Sequence, residues 1–189
     1  MKLRLPYRSG TVRITSPYGT RVLNGAVEMH KGIDMVGTDK TIVAPCDGVV
    51  GSSAMLDKAK DTGRTWEWGN YIRIDTEDGY KVYMCHMEKR FVKTGERVKA
   101  GDPIGVEGST GKSNGSHLHF EVRYVGKSTD PTPFLGIANR TGSYVAEETE
   151  DYARKVCERC GLEAQTREYI DKYRFAEDLW RKLWEAMKK

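Results

Sequence analysis

Residues 117–124 read HLHFEVRY, and every second side chain is apolar. On an extended strand successive side chains point to opposite faces. Leu118, Phe120, Val122 and Tyr124 then share a face that must be buried, while His117, His119, Glu121 and Arg123 share the other. A helix would scatter both sets, so this stretch commits the chain to a sheet with one apolar and one polar face. The two imidazoles stand roughly 7 Å apart at their backbones and point into the same space. As a pair alone they are equally compatible with solvated surface residues and with a metal site.

The preceding run, GSTGKSNGS, ends in the manner of a phosphate-cradling loop at Gly111-Lys112-Ser113. That loop also needs a glycine at position 106, where Val106 stands, and a helix behind it, where a strand follows. A nucleotide site is rejected. The other histidines favour a metal. The chain has only His30, His86, His117 and His119. His30 opens HKGID, ending at Asp34. On a straight strand these two would lie roughly 13 Å apart, too far to share an ion. Gly32 between them permits a bend. An imidazole, a carboxylate and one further imidazole make the three-ligand, open-position arrangement of catalytic zinc. His86 lies in the alternating run YKVYMCHM, a further strand. Its neighbour Cys85 invites a Cys/His nucleophile, but strand neighbours face opposite ways and do not pair. Glu121 is expected to be an ordinary surface glutamate rather than a group orienting a histidine.

Up to about residue 137, Gly, Asp, Asn and Pro recur every ten residues or so between short alternating runs, a β pattern. The segments APCDGVV and VKAGDPIGV carry the same turn chemistry. DKAKDTGRTWEWGN reads as an exposed loop whose Trp66 and Trp68 either pack at a hairpin tip or wall a groove. From residue 147 to residue 189 the composition shifts to helix formers, with Gly161 as a helix stop. Tyr169, Tyr173, Ala176, Trp180, Leu183 and Met187 follow a heptad seam of under three heptads. The expected organisation is a β-domain over 1–140 and a helical segment over 147–189 that packs or oligomerises, a homodimer through these helices being one outcome. The tail carries ten basic and eleven acidic residues, so the front holds +5 of the net +4. This mild basic excess suits an anionic partner, such as cell wall or nucleic acid, and specifies neither. Cys157 and Cys160 form a lone C-x-x-C, read as packed helix cysteines, and Cys46 as a buried small residue. No run approaches the roughly 20 apolar residues of a membrane span. The N-terminus shows no apolar signal region, so synthesis in the cytoplasm is expected.

At these histidines the sequence resembles the lysostaphin-like zinc metallopeptidases that cut peptide bonds in peptidoglycan. The resemblance covers roughly Thr15 to Pro133 and includes SPYGTR, HKGID, VAPCDGVV, GNYIRID, VKAGDPIG and GSTGKSNGSHLHFEV in family order. It implies a mainly β fold, a small antiparallel domain of the duplicated hybrid motif type, with a groove along one sheet face. It implies His30, Asp34 and His119 as ligands of one zinc ion, with His117 and His86 as non-ligand catalytic histidines. Met84 stands where members often have an aromatic residue, and Asn24 near where some have a tyrosine.

The expected function is a zinc-dependent endopeptidase acting on peptidoglycan cross-links or stem peptides. A phage or mobile-element lysin is the expected context, acting at the cell wall after lysis or from a phage particle, with no nucleic acid partner. The alternatives are a non-enzymatic wall-binding or tail-assembly module of the same fold and a phosphotransfer carrier domain. Loops 52–69 and 87–96 are expected to shape the pocket.

Overall fold

The structure is a computed structural model; it describes residues 1–189 except 24, 56–57, 59–64, 147–151, 163–165, 167–175 and 189. The chain divides into two compact units, Met1–Glu147 and Glu148–Lys189.

The first unit is mainly antiparallel β. Its strands in chain order are β1 Gly10–Ser16, β2 Gly19–Leu23, β3 Ala26–His30, β4 Ile33–Gly37, β5 Thr41–Val43, β6 Gly48–Met55 and β7 Asn70–Asp75. There follow β8 Tyr80–Met87, β9 Lys89–Arg90, β10 Arg97–Val98, β11 Pro103–Val106, β12 Leu118–Tyr124, β13 Lys127–Thr129 and β14 Gly142–Ala146. The main sheet has the order β10-β6-β7-β8-β12-β4-β1-β14, with β13 paired to the far end of β12. A second sheet, β5-β11-β9, and the separate hairpin β2-β3 complete the unit.

The alternation of residues 117–124 is realised. Leu118, Phe120 and Val122 are fully buried. They meet Ile33 and Met35 of β4, Ile72 and Ile74 of β7, and Val82 and Met84 of β8 in one core. Each such side chain contributes about 1.5–3 kcal/mol on burial. The core is closed by Leu3 and Tyr7 of the N-terminal arm and by Ile42 and Ile104 of the second sheet. With one face buried, a one-residue slip would turn every apolar side chain outward, so the register is fixed. Directly paired residues share a face, and β12 pairs His119 with Asp34 of β4 on one side and with Cys85 of β8 on the other.

In the second unit, helix α2 spans Tyr152–Cys160 and helix α3 spans Ala176–Met187; α1 is the single turn Thr132–Leu135 of the first unit. Val156 and Trp180 are buried against each other with Cys157, Trp184 and Met187 around them. Cys157 packs as expected, while Cys160 is exposed with its Sγ 3.7 Å from Met187 Sδ. Gly161 follows α2 in a left-handed conformation, as its role of helix stop requires. Tyr169 and Tyr173 of the heptad seam lie outside the described residues. Among the described residues no helix is long and apolar enough to cross a membrane.

Candidate metal centre

The polar face of the sheet carries the site. His30 ends β3, Asp34 is the second residue of β4 and His119 the second of β12. His30 and Asp34 are therefore not on one strand: the chain leaves the hairpin and enters the main sheet between them. Gly32 sits at this crossing with an ordinary φ, and its role is close approach rather than a left-handed turn. A Cβ there would collide with Phe120 O and lie 2.9 Å from His119 Cε1.

His30 Nε2, Asp34 Oδ1 and His119 Nδ1 form a triangle. His30 Nε2 is 3.1 Å from Asp34 Oδ1 and 3.1 Å from His119 Nδ1, and His119 Nδ1 is 2.9 Å from Asp34 Oδ1. Two donors about 2.0–2.1 Å from a tetrahedral zinc ion would be separated by about 3.3 Å. The donor set and its spacing fit such an ion, and among the described residues these three are the group able to hold one.

The nitrogen of each imidazole that faces away from the site has a polar partner, an arrangement in which the inward nitrogen would offer its lone pair to a bound ion. His30 Nδ1 donates to Pro17 O at 2.7 Å. His119 Nε2 lies 3.6 Å from Glu121 Oε2. His86 Nδ1 donates to Thr110 O at 2.9 Å and His117 Nδ1 to Gly115 O at 2.8 Å. The His86 and His117 rings stand 4.7 Å apart, and His86 is 6.1 Å from His119. His117 Nε2 is 3.8 Å from Asp34 Oδ1. All five residues singled out in the sequence are thus brought together around one groove.

His86 reaches the groove by breaking the strand pattern. Alternation would send it to the core face with Val82 and Met84. Its φ of 65 turns it to the other face, and Met87 takes the place in the core. That left-handed conformation is costly for a residue with a Cβ. Strict alternation consequently fails as the reason that Cys85 and His86 do not act as a pair. The reason is burial, which raises the fully buried Cys85 thiol well above its ordinary pKa and keeps it protonated. Burial likewise pushes the Cys46 thiol up to about 12.

The glycine-rich run 108–116 holds this half of the site. Gly69, at φ 61, and Gly111 pack so tightly against each other's segments that a Cβ on either would meet backbone. Asn70 N–H donates to Thr110 Oγ1 at 2.9 Å, and Lys112 N–H to Glu67 O at 2.9 Å. The run therefore presents backbone carbonyls to two histidines, not amides to a phosphate.

Burial alone would raise the Asp34 carboxyl, but hydrogen bonds from His119 and His30 outweigh it and hold the group well below the usual carboxylate range. Burial would depress His119, and its hydrogen bonds to Asp34 and Glu121 instead raise it to about 9. For His86 burial prevails and lowers it to about 4, so it is neutral at neutral pH. Arg21 of the hairpin donates to Asp34 Oδ2 at 3.1 Å, steadying the oxygen turned away from the triangle.

Two acids differ from the sequence reading. Glu121 is not a surface glutamate: it is 1% exposed, accepts from Arg123 Nε at 2.6 Å and faces His119. Glu107, which the sequence reading passed over, is 2% exposed. It accepts from Tyr7 Oη at 2.7 Å, Gly37 N at 3.0 Å, Ser116 Oγ at 2.7 Å and Lys40 Nζ. It thereby ties the N-terminal arm and the end of β4 to the residue before His117. A signal for it existed in PIGVEGST, where an acid follows directly on a short apolar run.

The groove, roughly 840 Å³, runs from the hairpin past the triangle to Trp68. Trp68 walls it, its ring 5.2 Å from that of Tyr71 and 5.3 Å from that of Tyr83. The second wall is hairpin β2-β3 with residues 112–116, and no residue of loop 87–96 lines it. The hairpin takes the place expected for loop 87–96. Asn24 lies outside the described residues.

This strand-borne triangle with two facing imidazoles belongs to a peptidase domain. Residues 28–131 match the model of peptidase family M23, and the chain belongs to that family. It is 37% identical over 123 residues to the peptidoglycan DD-endopeptidase ShyC of Vibrio cholerae, covering 63% of this chain and 26% of that protein. It is 36% identical over 107 residues to the murein hydrolase activator NlpD of Escherichia coli, covering 56% of this chain and 26% of that protein. The fold matches the catalytic domain of lysostaphin from Staphylococcus simulans with a TM-score of 0.52 and 31% identity, over 69% of this chain and 92% of that one. The chain spans about a quarter of the length of the curated relatives it matches.

Proposed function

We propose that the chain is a zinc-dependent endopeptidase that hydrolyses peptide bonds of bacterial peptidoglycan. The observation that carries this reading is the donor triangle of His30, Asp34 and His119, open toward a groove into which His86 and His117 point. A zinc ion held by these three residues would supply Lewis-acid chemistry, acidifying a water and polarising the scissile carbonyl.

The protein's own groups do the rest. His86, neutral and with its Nδ1–H tied to Thr110, keeps an Nε2 lone pair facing the groove and can accept a proton from the attacking water. His117, oriented by Gly115 O, is placed to hydrogen-bond the developing oxyanion and to return a proton to the leaving amine. Glu121 fixes His119 so that Nδ1 faces the triangle. Trp68 and the hairpin confine an extended peptide between them.

The murein hydrolase activator among the relatives supports a second reading, a module that influences wall hydrolysis without cutting. Zinc content and clearing of purified cell walls separate the two. The native chain is expected to hold one zinc and clear walls until a chelator is added. His117→Ala is expected to keep zinc and lose clearing. Equal clearing by both would remove His117 from the reaction, and a native chain with neither zinc nor clearing would favour the non-cutting module.

A further inference from the structure

Arg123 is a groove residue that the reaction above does not use. It shares the site face of β12 with His119, two pleats on, about 13 Å along the strand. Its guanidinium lies 5.1 Å from the ring centroid of Trp68 and 4.7 Å from that of Tyr83. Nε donates to Glu121 at 2.6 Å. Stacking and ion pair together fix the plane of the guanidinium. Its Nη1 and Nη2 make no hydrogen bond among the described residues, and the side chain remains 21% exposed.

Of the other cations lining the groove, Lys31 is an exposed point charge with no planar fork, and two are occupied differently. Arg21 donates to Glu28, Ser16 and Asp34. Lys112 sits 3.6 Å from Glu67. Arg123 thus presents the open end of a planar fork, already ordered, to whatever lies in the groove. Such a fork matches a carboxylate with two parallel N–H···O bonds, which an amide cannot accept in the same way. Little side-chain freedom is left to lose on binding.

We propose that Arg123 is a specificity residue that binds a carboxylate of the peptide substrate, borne within about four residues of the scissile bond. This deepens the endopeptidase reading and rests on it. The preferred substrate is then a peptide cross-link with a free carboxylate, rather than an uncharged or amidated one.

The test uses the zinc-loaded full chain and two synthetic cross-linked stem peptides, identical except that the carboxylates flanking the cross-link are free in one and amidated in the other. The native chain is expected to favour the free form by about 10- to 100-fold in kcat/KM, mostly through KM. Arg123→Met is expected to bring that ratio close to one, and Arg123→Lys, which keeps the charge but not the fork, to restore part of it. Zinc content and thermal melting are measured alongside. Equal cleavage of both forms by the native chain, or an undiminished preference in Arg123→Met, overturns the proposal. If Arg123→Met does not fold, Arg123→Lys decides, and a full preference there overturns it equally. Cleavage of neither form would fell the endopeptidase reading itself, and this proposal with it, whereas equal cleavage fells this proposal alone.

Discussion

The two halves of the site are held by different means. In the metal corner, every donor is carried by a paired strand: Asp34 and His119 face each other across the β4-β12 ladder, and His30 closes β3 opposite Gly19. The facing pair depends on a loop. His86 stands at a left-handed break near the end of β8, His117 lies just before β12, and both are oriented by carbonyls of residues 108–116. Two of its donors inherit the rigidity of a sheet whose register the core fixes, and the third closes the separate hairpin. The facing pair can be displaced without moving a single donor. Holding the ion and turning over substrate should therefore be separable by mutation.

Two glycines give the sharpest test. Gly32→Ala drives a methyl group against Phe120 O and the His119 ring, and zinc affinity should fall by about 10- to 100-fold. Gly69→Ala crowds Thr110, whose carbonyl holds His86. That variant should keep its zinc and lose turnover by about tenfold or more. Zinc titration and wall clearing on both would show the two losses separating, and equal zinc loss in both would break the comparison.

A second prediction concerns acid. The folded pKa of His86, about 4, lies below the 6.5 of the unfolded chain, so below pH 6.5 the unfolded state binds the extra proton. Its contribution is full above pH 6.5 and is lost as pH falls toward 4. Between pH 7.5 and 4.5 the metal-free native chain should lose about 2–3 kcal/mol more than His86→Asn, an exchange that tolerates a left-handed backbone. Denaturant melts at the two pH values measure this, and parallel losses would show that burial does not govern His86.

The smallest effect contrasts the two left-handed residues that are not glycine. His86 uses its conformation to reach the groove. Val125, at φ 47 in the turn between β12 and β13 and 80% exposed, gains nothing from its own. Val125→Asn should raise stability by about 1 kcal/mol with wall clearing unchanged. A lower melting temperature would show the strain at Val125 to be negligible.

Much of this site was legible because strand alternation is local. The stretch 117–124 announced its two faces, and HKGID supplied an imidazole and a carboxylate near a glycine. The fate of Glu121 was not legible, because a polar face looks solvated until Trp68 and Arg123 cover it. Nor was the four-donor setting of Glu107, which draws on residues up to 100 positions away. The turn of His86 toward the groove was hidden for another reason: alternation predicts the opposite face.

The sequence by itself determined a sheet with one apolar and one polar face, the residue types able to hold a divalent ion, and a helix-forming tail. These follow from period and composition, which short stretches carry intact. Only the tertiary structure decided that His30 and His119, 89 positions apart, meet at 3.1 Å, and that His86 faces them rather than the core. Contact across a sheet depends on register and on single backbone angles, and both are set by packing of the whole core rather than by neighbours along the chain.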